Sequence, residues 1–372
     1  MQRHTSIYLD LIRFSAAMVV FIGHSAGQRL SGGIGWQLVA YMDEAVVIFF
    51  VLSGYVIGHV TGSREVSAGD YAIARAARIY SVAVAAILAT IVLDAMGSRL
   101  DPALYAGLDH YHADSSGLEF LGALVFVNYL WYGQHAVGTD LPYWSLCFEV
   151  WYYVIFGVVL FAPARWRWWA TALLLLFVGP RIAGLFPLWL MGLLAHRVSV
   201  WGRVGPRLAG LCCWGSLALI LLHQVSILRH GALPPVLEPV LALPNISNDY
   251  VTGALFAIHL VGFNAAGSRF GPLLARVARP IRWCAGATFT IYLFHMPLIL
   301  FFATINPWPP ASWTSRFAFF GGTLTVLFLI AELTERRKDA WRLAFERLMP
   351  GSRGMAGMAR GVGGLAPPRT RL

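Results

Sequence analysis

An all-α bundle of about ten membrane-spanning helices is predicted by three observations. Of 372 residues 58% are hydrophobic, only 12% are charged, and the apolar residues gather into repeated runs of nearly membrane-crossing length. Soluble domains carry about 25% charged residues, and a hydrocarbon core of about 30 Å takes about 20 apolar residues to cross. The mean hydropathy of +0.64 and the number of runs exclude a soluble domain on a single anchor. The net charge of +10 would suit nucleic acid, but the arginines lie mostly in short segments between runs, where topology-setting charges belong. No nucleic-acid partner is expected. Cys147, Cys212, Cys213 and Cys284 lie in or beside apolar runs without C-x-x-C spacing, so neither a disulfide framework nor a metal site is indicated.

Spans are expected near 7–26, 44–60, 79–96, 143–161, 168–180, 182–195, 208–224, 250–266, 284–303 and 316–334. The first follows "MQRH" and is interrupted by Asp10 and Arg13, which suits a retained span better than a cleaved leader. The run 119–132, "EFLGALVFVNYLWY", has fourteen residues and is too short for a full crossing. It is read as re-entrant or interfacial, because a crossing there would put "RWR" (165–167) opposite the arginines of 64–78. Both termini are then cytoplasmic, together with 61–78, 163–168, 196–207, 267–282 and "ERRK" (335–338). The segment 97–142, whose Asp101, Asp109, Asp114 and Glu119 outnumber its one arginine, falls outside. The fifth and sixth spans, separated only by "GPR" (179–181), also fit a broken pair of half-helices. The transmembrane domain is expected over 1–340, with a cytoplasmic tail over 341–372. That tail is Gly-, Pro- and Arg-rich and expected to be disordered from about 350.

Polar groups inside spans are costly and tend to face a bundle interior or a wet cavity. In "LDLIRFSAAMVVFIGHS" (9–25), His24 follows Arg13 by eleven residues, three turns and nearly the same face, about 16 Å along the axis. Asp10 and Arg13 are also placed to neutralise each other as an i, i+3 pair. In "ARAARIY" (74–80), Arg75 and Arg78 form a fork suited to phosphate oxygens, or simply flank a span for topology. In "YWSLCFEVWYY" (143–153), Glu149 lies about two turns into an apolar run and needs a partner; it could orient His24 and stabilise its protonated form, or pair with an arginine. The surrounding aromatics read as an interfacial belt. "FFVLSGYVIG" (49–58) offers Ser53, Gly54 and Gly58 for close helix approach. "TIYLFHMPLIL" (290–300) puts His295 and Pro297 mid-span, where a freed carbonyl and a second histidine could line a cavity.

In this order the segments "YLDLIRFSAAMVVFIGHS", "VIFFVLSGYVIG", "RAARIY", "YWSLCFEVWYY" and "TFTIYLFHMPL" resemble the acyltransferase-3 family over roughly residues 7–334. These are integral membrane O-acyltransferases that modify bacterial polysaccharides and related glycans. The resemblance implies about ten helices in the bacterial inner membrane. It implies a cytoplasmic acyl-CoA donor, usually acetyl-CoA, with no tightly bound cofactor and no metal. The implied acceptor is a hydroxyl of an extracytoplasmic polysaccharide or glycolipid, with membrane lipids and polysaccharide assembly machinery as partners. Essential residues carry over to Arg13, His24, Arg75 and Arg78. Glu149, Ser53, Gly54 and Tyr55 fall in recurrent motifs, Tyr55 standing where the family often has Phe. His24 and Glu149 are then expected at the reaction, and Asp10, Arg13, Arg75, Arg78, Ser53, Tyr55 and His295 around the substrates. His24 could act as base on the acceptor hydroxyl or carry the acyl group itself. A transporter or exporter would also suit ten helices with intramembrane charges, although no inverted repeat relates the halves. A non-catalytic assembly partner would not require His24 and both arginines.

Overall fold

The computed structural model describes residues 1–61, 67–109, 111, 117–202, 204–233 and 238–348. Among them nine helices are long and apolar enough to cross a bilayer, and no strand forms. The chain is a polytopic helical bundle. Its principal helices are α1 (Arg3–Ser25), α2 (Met42–Thr61), α3 (Ala68–Leu100), α4 (Gly117–Leu124), α5 (Tyr143–Phe161), α6 (Ala164–Val178) and α7 (Pro180–Trp201). They continue with α8 (Pro206–Arg229), α9 (Ile246–Ala266), α10 (Ala278–Ala285), α11 (Thr288–Ile305), α12 (Trp313–Leu333) and α13 (Lys338–Leu348). The end of the bundle expected to face the cytoplasm is called inner below.

Three elements differ from the spans expected. The third begins at 68 rather than 79, because Ser67 accepts the Asp70 N–H at 3.1 Å and caps the helix early. At 33 residues it is about 50 Å long, well beyond the hydrocarbon core. Arg75 and Arg78 therefore sit inside a helix rather than at its mouth. The fifth expected span, α6, has only 15 residues, about 22 Å, which accounts for nine long helices in place of ten. The tail helix α13 runs through the boundary expected at 340 and packs its Phe345 6.1 Å from the Tyr80 ring of α3. The stretch from 349, expected to be disordered, lies outside the described residues.

The run 119–132 does not cross. Its helix α4 has eight residues, about 12 Å, and the chain then turns back through 125–142. Hydrogen bonds fix this loop from beneath. Trp151 Nε1 donates to the Phe126 carbonyl at 2.8 Å, the Trp131 N–H to the Val178 carbonyl at 3.0 Å, and Thr139 N and Oγ1 to Asp94 at 2.8 and 2.6 Å. Where the loop meets the α6–α7 joint, Gly179 has φ +83° and its missing Cβ is replaced by the Trp131 backbone. That joint ends α6 and opens α7 at Pro180, a position that needs no helical N–H.

The tightest crossing joins α2 and α7. Gly54 lies against the Trp189 carbonyl and Gly192 against the Val51 carbonyl, so neither position has room for a Cβ. Lipid tails are as apolar as the helices, so close backbone approach of this kind is what holds membrane helices together. The most enclosed helix is α11, with Thr290, Ile291, Leu293, His295 and Ile299 all fully buried. Pro297 interrupts its hydrogen-bond ladder.

Gly54→Ala and Gly192→Ala should each cost about 1–3 kcal/mol by forcing backbones apart, read as a lower Tm in detergent. Gly321→Ala, where nothing lies within 4 Å, should leave Tm unchanged within about 0.5 kcal/mol. A second expectation concerns Asp140 in the 125–142 loop. It is fully buried, and burial together with the neighbouring Asp94 raises its carboxyl well above the usual range. The folded chain then holds a proton there that the unfolded chain releases above about pH 4, so stability falls as pH rises toward the raised value. Asp140→Asn should flatten the decline in Tm between pH 5 and pH 9.

Candidate functional site

The unbroken helix α1 carries Asp10 and Arg13 near its inner end and His24 near its outer end. Arg13 Nη1 stands 3.9 Å from Asp10 Oδ1, a loose pair that leaves the guanidinium available to other groups. Gly23, beside His24, packs against Met42 at the start of α2. His24 is thereby level with the first turn of that helix.

Arg13 lines an inner cavity together with Ser53 of α2, Arg78 of α3, Glu149 of α5, Tyr292 of α11 and Glu335. Two guanidiniums and two carboxylates thus face a space with about 60 Å³ open to the centres of water molecules. That admits several waters or a thin chain and is too small for a sugar or a nucleotide. Glu149 is held firmly: Ser53 Oγ donates to its Oε1 at 2.6 Å and the Tyr153 hydroxyl donates to the same oxygen. Ser53 accepts in turn from Trp189 Nε1 at 3.2 Å. Glu335 accepts the N–H groups of Phe289 and Thr290 at 3.0 and 3.1 Å, which caps the N-terminus of α11. The Arg78 guanidinium makes no hydrogen bond to a described residue, and the charges of Glu149 and Glu335 act on it across the cavity. A guanidinium left uncommitted in such a space is suited to an anionic or strongly polarised ligand.

Arg75 is placed elsewhere. Three residues along a helix are about 60° apart around its axis, and that angle puts Arg75 over the rings of Tyr71 and Tyr153 at 5.7 and 5.6 Å. It lines an apolar groove between α3 and α5, with Tyr153 as the wall between it and the Arg78 cavity. The fork expected of Arg75 and Arg78 is therefore divided between two spaces. Tyr55 also faces away from the cavity, buried edge-on against the His196 ring at 5.3 Å.

His24 is paired with His295. Nδ1 of His24 lies 3.0 Å from Nε2 of His295, and Nδ1 of the fully buried His295 lies 3.0 Å from the Ile291 carbonyl. A carbonyl only accepts, so His295 Nδ1 carries the hydrogen. In neutral His295 the lone pair is then on Nε2, and His24 Nδ1 must donate to it. That fixes the tautomer of His24 and puts its own lone pair on Nε2, as required of a general base or nucleophile. His295, rather than Glu149, is thus the residue that hydrogen-bonds His24 Nδ1. The pair stands beside the inner cavity, separated by Tyr292, whose ring is 6.3 Å from that of His295 and whose hydroxyl bonds Ser145 Oγ at 2.8 Å.

Arg13, Ser53, Arg78 and Glu149 are therefore brought together, with His24 and His295 alongside and Asp10 behind Arg13. Sequence reasoning missed Tyr153 and Glu335. Tyr153 follows Glu149 at i, i+4, a spacing at which a hydroxyl reaches a carboxylate, but it reads as one more belt aromatic. Glu335 sits in a basic stretch that reads as topology alone. Among the described residues no three His, Cys, Asp or Glu side chains gather as a metal set.

No curated protein and no solved structure matches the chain. The model of one family, described as an acyltransferase domain, matches residues 6–332, nearly the whole length, and the chain belongs to this acyltransferase-3 family.

Proposed function

We propose that this multi-pass membrane acyltransferase moves an acyl group, acetyl in the simplest case, from cytoplasmic acyl-CoA to a hydroxyl of an extracytoplasmic polysaccharide or glycolipid. The observation that carries the reading is the pair His24–His295 at the outer level of α1, with a cavity lined by two guanidiniums and two carboxylates at the inner end of the same helix. The narrow cavity suits the thin pantetheine arm of the donor, whose thioester end it takes in. The bulky nucleotide stays at the inner mouth, where Arg78 and the arginines of 267–282 meet its phosphates. The membrane in question is the bacterial inner membrane, the one that separates acyl-CoA from surface glycans.

The chemistry follows from the tautomer. His24 Nε2 takes the proton of the acceptor hydroxyl as that oxygen attacks the thioester carbonyl. The tetrahedral intermediate collapses, the C–S bond breaks, and His24 returns the proton to the departing thiolate, leaving an O-ester and free coenzyme A. His295 holds the ring in place and accepts from Nδ1 throughout, so it is a positioning residue.

His24→Ala should lower transfer by about 10²–10⁴-fold at normal expression, measured as label moved from acetyl-CoA to glycan in proteoliposomes. His295→Phe removes the Nε2 acceptor and should lower kcat by about tenfold or more while the donor KM stays put; a changed donor KM with unchanged kcat would count against its positioning role. Arg78→Ala should weaken coenzyme A binding about tenfold or more, the value of a lost charge-assisted contact. Arg75→Ala, on the far side of Tyr153, should weaken it less. Isothermal titration in nanodiscs separates the two.

A further inference from the structure

A second cavity opens at the outer end of the bundle. It offers about 290 Å³ to water centres, several times the inner one. Its walls come from the first turns of α2 (Asp43), α5 (Trp144), α7 (Arg181) and α9 (Asp249) and from the 125–142 loop, which contributes Gln134. Val46 and Phe50 line both cavities, so the outer one ends where the inner one begins. Met42, one residue before Asp43, is the residue that packs on Gly23 next to His24. The outer cavity is thus level with the catalytic histidine.

The lining has the chemistry of a sugar site. Two carboxylates accept from hydroxyls, the Gln134 amide does both, and Arg181 donates. Arg181 has its Nε buried without a hydrogen-bond partner, and its only described bond is a long one of 3.4 Å from Nη1 to the Gly133 carbonyl. Trp144 is half-buried and held edge-on by Phe50 and Phe148 at 6.2 and 5.1 Å. Its indole is a fixed apolar plate against which the C–H face of a pyranose ring can lie. Few convergent polar groups in an otherwise apolar pocket is how small ligands are oriented. The volume is at the small end of ligand pockets, which run from about 300 Å³, and holds one ring rather than an oligosaccharide.

Charge narrows the ligand further. Asp43 and Asp249 face the one guanidinium of Arg181 across the cavity. Like charges juxtaposed in a poorly solvated site are costly and act as a filter. We infer that the outer cavity is the acceptor subsite, that Trp144, Asp43, Asp249 and Arg181 hold one sugar ring in it, and that the ring is uncharged, a hexose or N-acetylhexosamine rather than a uronate or phosphosugar. This rests on the reading of the chain as an acyl-CoA:glycan O-acyltransferase.

The full chain in nanodiscs, supplied with labelled acetyl-CoA, tests it against methyl glycosides of glucose, galactose, N-acetylglucosamine and glucuronate. Wild type should acylate at least one neutral glycoside with kcat/KM about tenfold or more above glucuronate. Asp43→Asn, Asp249→Asn and Trp144→Ala should each raise the acceptor KM about tenfold, the loss expected for one charge-assisted or stacking contact, with the donor KM within twofold as the sign of an intact fold. Asp43→Asn with Asp249→Asn should also shrink the preference over glucuronate about fivefold or more. Transfer with unchanged acceptor KM in all three variants overturns the subsite alone, and so does a wild-type preference for glucuronate, which needs no variant. Absence of transfer to every glycoside overturns the acyltransfer reading and the subsite with it.

Discussion

The carboxylate of Glu149 is the interaction on which the rest of the bundle depends. In a bilayer an ionised side chain must find its partners within the protein, and Glu149 finds them on three helices: Ser53 of α2, Tyr153 of its own helix and, through Ser53, Trp189 of α7. The same crossing supplies the close packing. Gly54 follows Ser53 in sequence and lies against the Trp189 carbonyl, so the glycine contact that brings α2 onto α7 also brings the indole N–H to the Ser53 hydroxyl. A larger residue at 54 would withdraw the Trp189 donor, and the hydroxyl serving Glu149 would lose its own anchor.

From this fixed carboxylate the site extends in both directions along the bundle. Toward the inner end lie Arg13, Arg78 and the Glu335 that caps α11. Toward the outer end lies an apolar neck of Val46 and Phe50, then the larger cavity with Asp43, Trp144 and Asp249. Two guanidiniums and two carboxylates share the inner space, and two carboxylates with one guanidinium the outer. The guanidinium of Arg78, without a side-chain hydrogen bond to a described residue, suits the anionic donor proposed above.

Much of this was legible in the sequence, for reasons that also explain where it stopped. The polar stripe from Arg13 to His24 needs only helical periodicity within one continuous segment, and α1 is continuous. The family resemblance likewise rests on residues in order along the chain, and the matched region 6–332 covers them. What could not be read is long-range. His295 is 271 residues from His24, and nothing local says that two mid-span histidines share a hydrogen bond. Glu149 appeared to need a charged partner, and received neutral donors from Ser53 and Tyr153. Arg75 and Arg78 appeared to act together because their spacing puts them a turn apart at the mouth of a span. Once Ser67 caps the helix at 68, helical geometry points them into different spaces.

The narrowness of the junction between the cavities has its own consequence for the proposed reaction. An acyl thioester loses its group to water as readily as to a sugar hydroxyl unless the site excludes water while admitting the sugar. Val46 and Phe50 close the inner cavity with apolar side chains, and the inner space itself holds only about 60 Å³ for water centres. The Tyr292 ring, hydrogen-bonded to Ser145, stands between that space and the His24–His295 pair. The proposed base, shielded in this way, would meet a hydroxyl mainly when an acceptor delivers one. The roof over the outer cavity belongs to the same arrangement. The 125–142 loop that supplies Gln134 is tied down through Thr139 to Asp94 and through Trp131 to the α6–α7 joint, so the pocket proposed for the acceptor is held in shape by the protein itself, and ordering it would cost a bound sugar little.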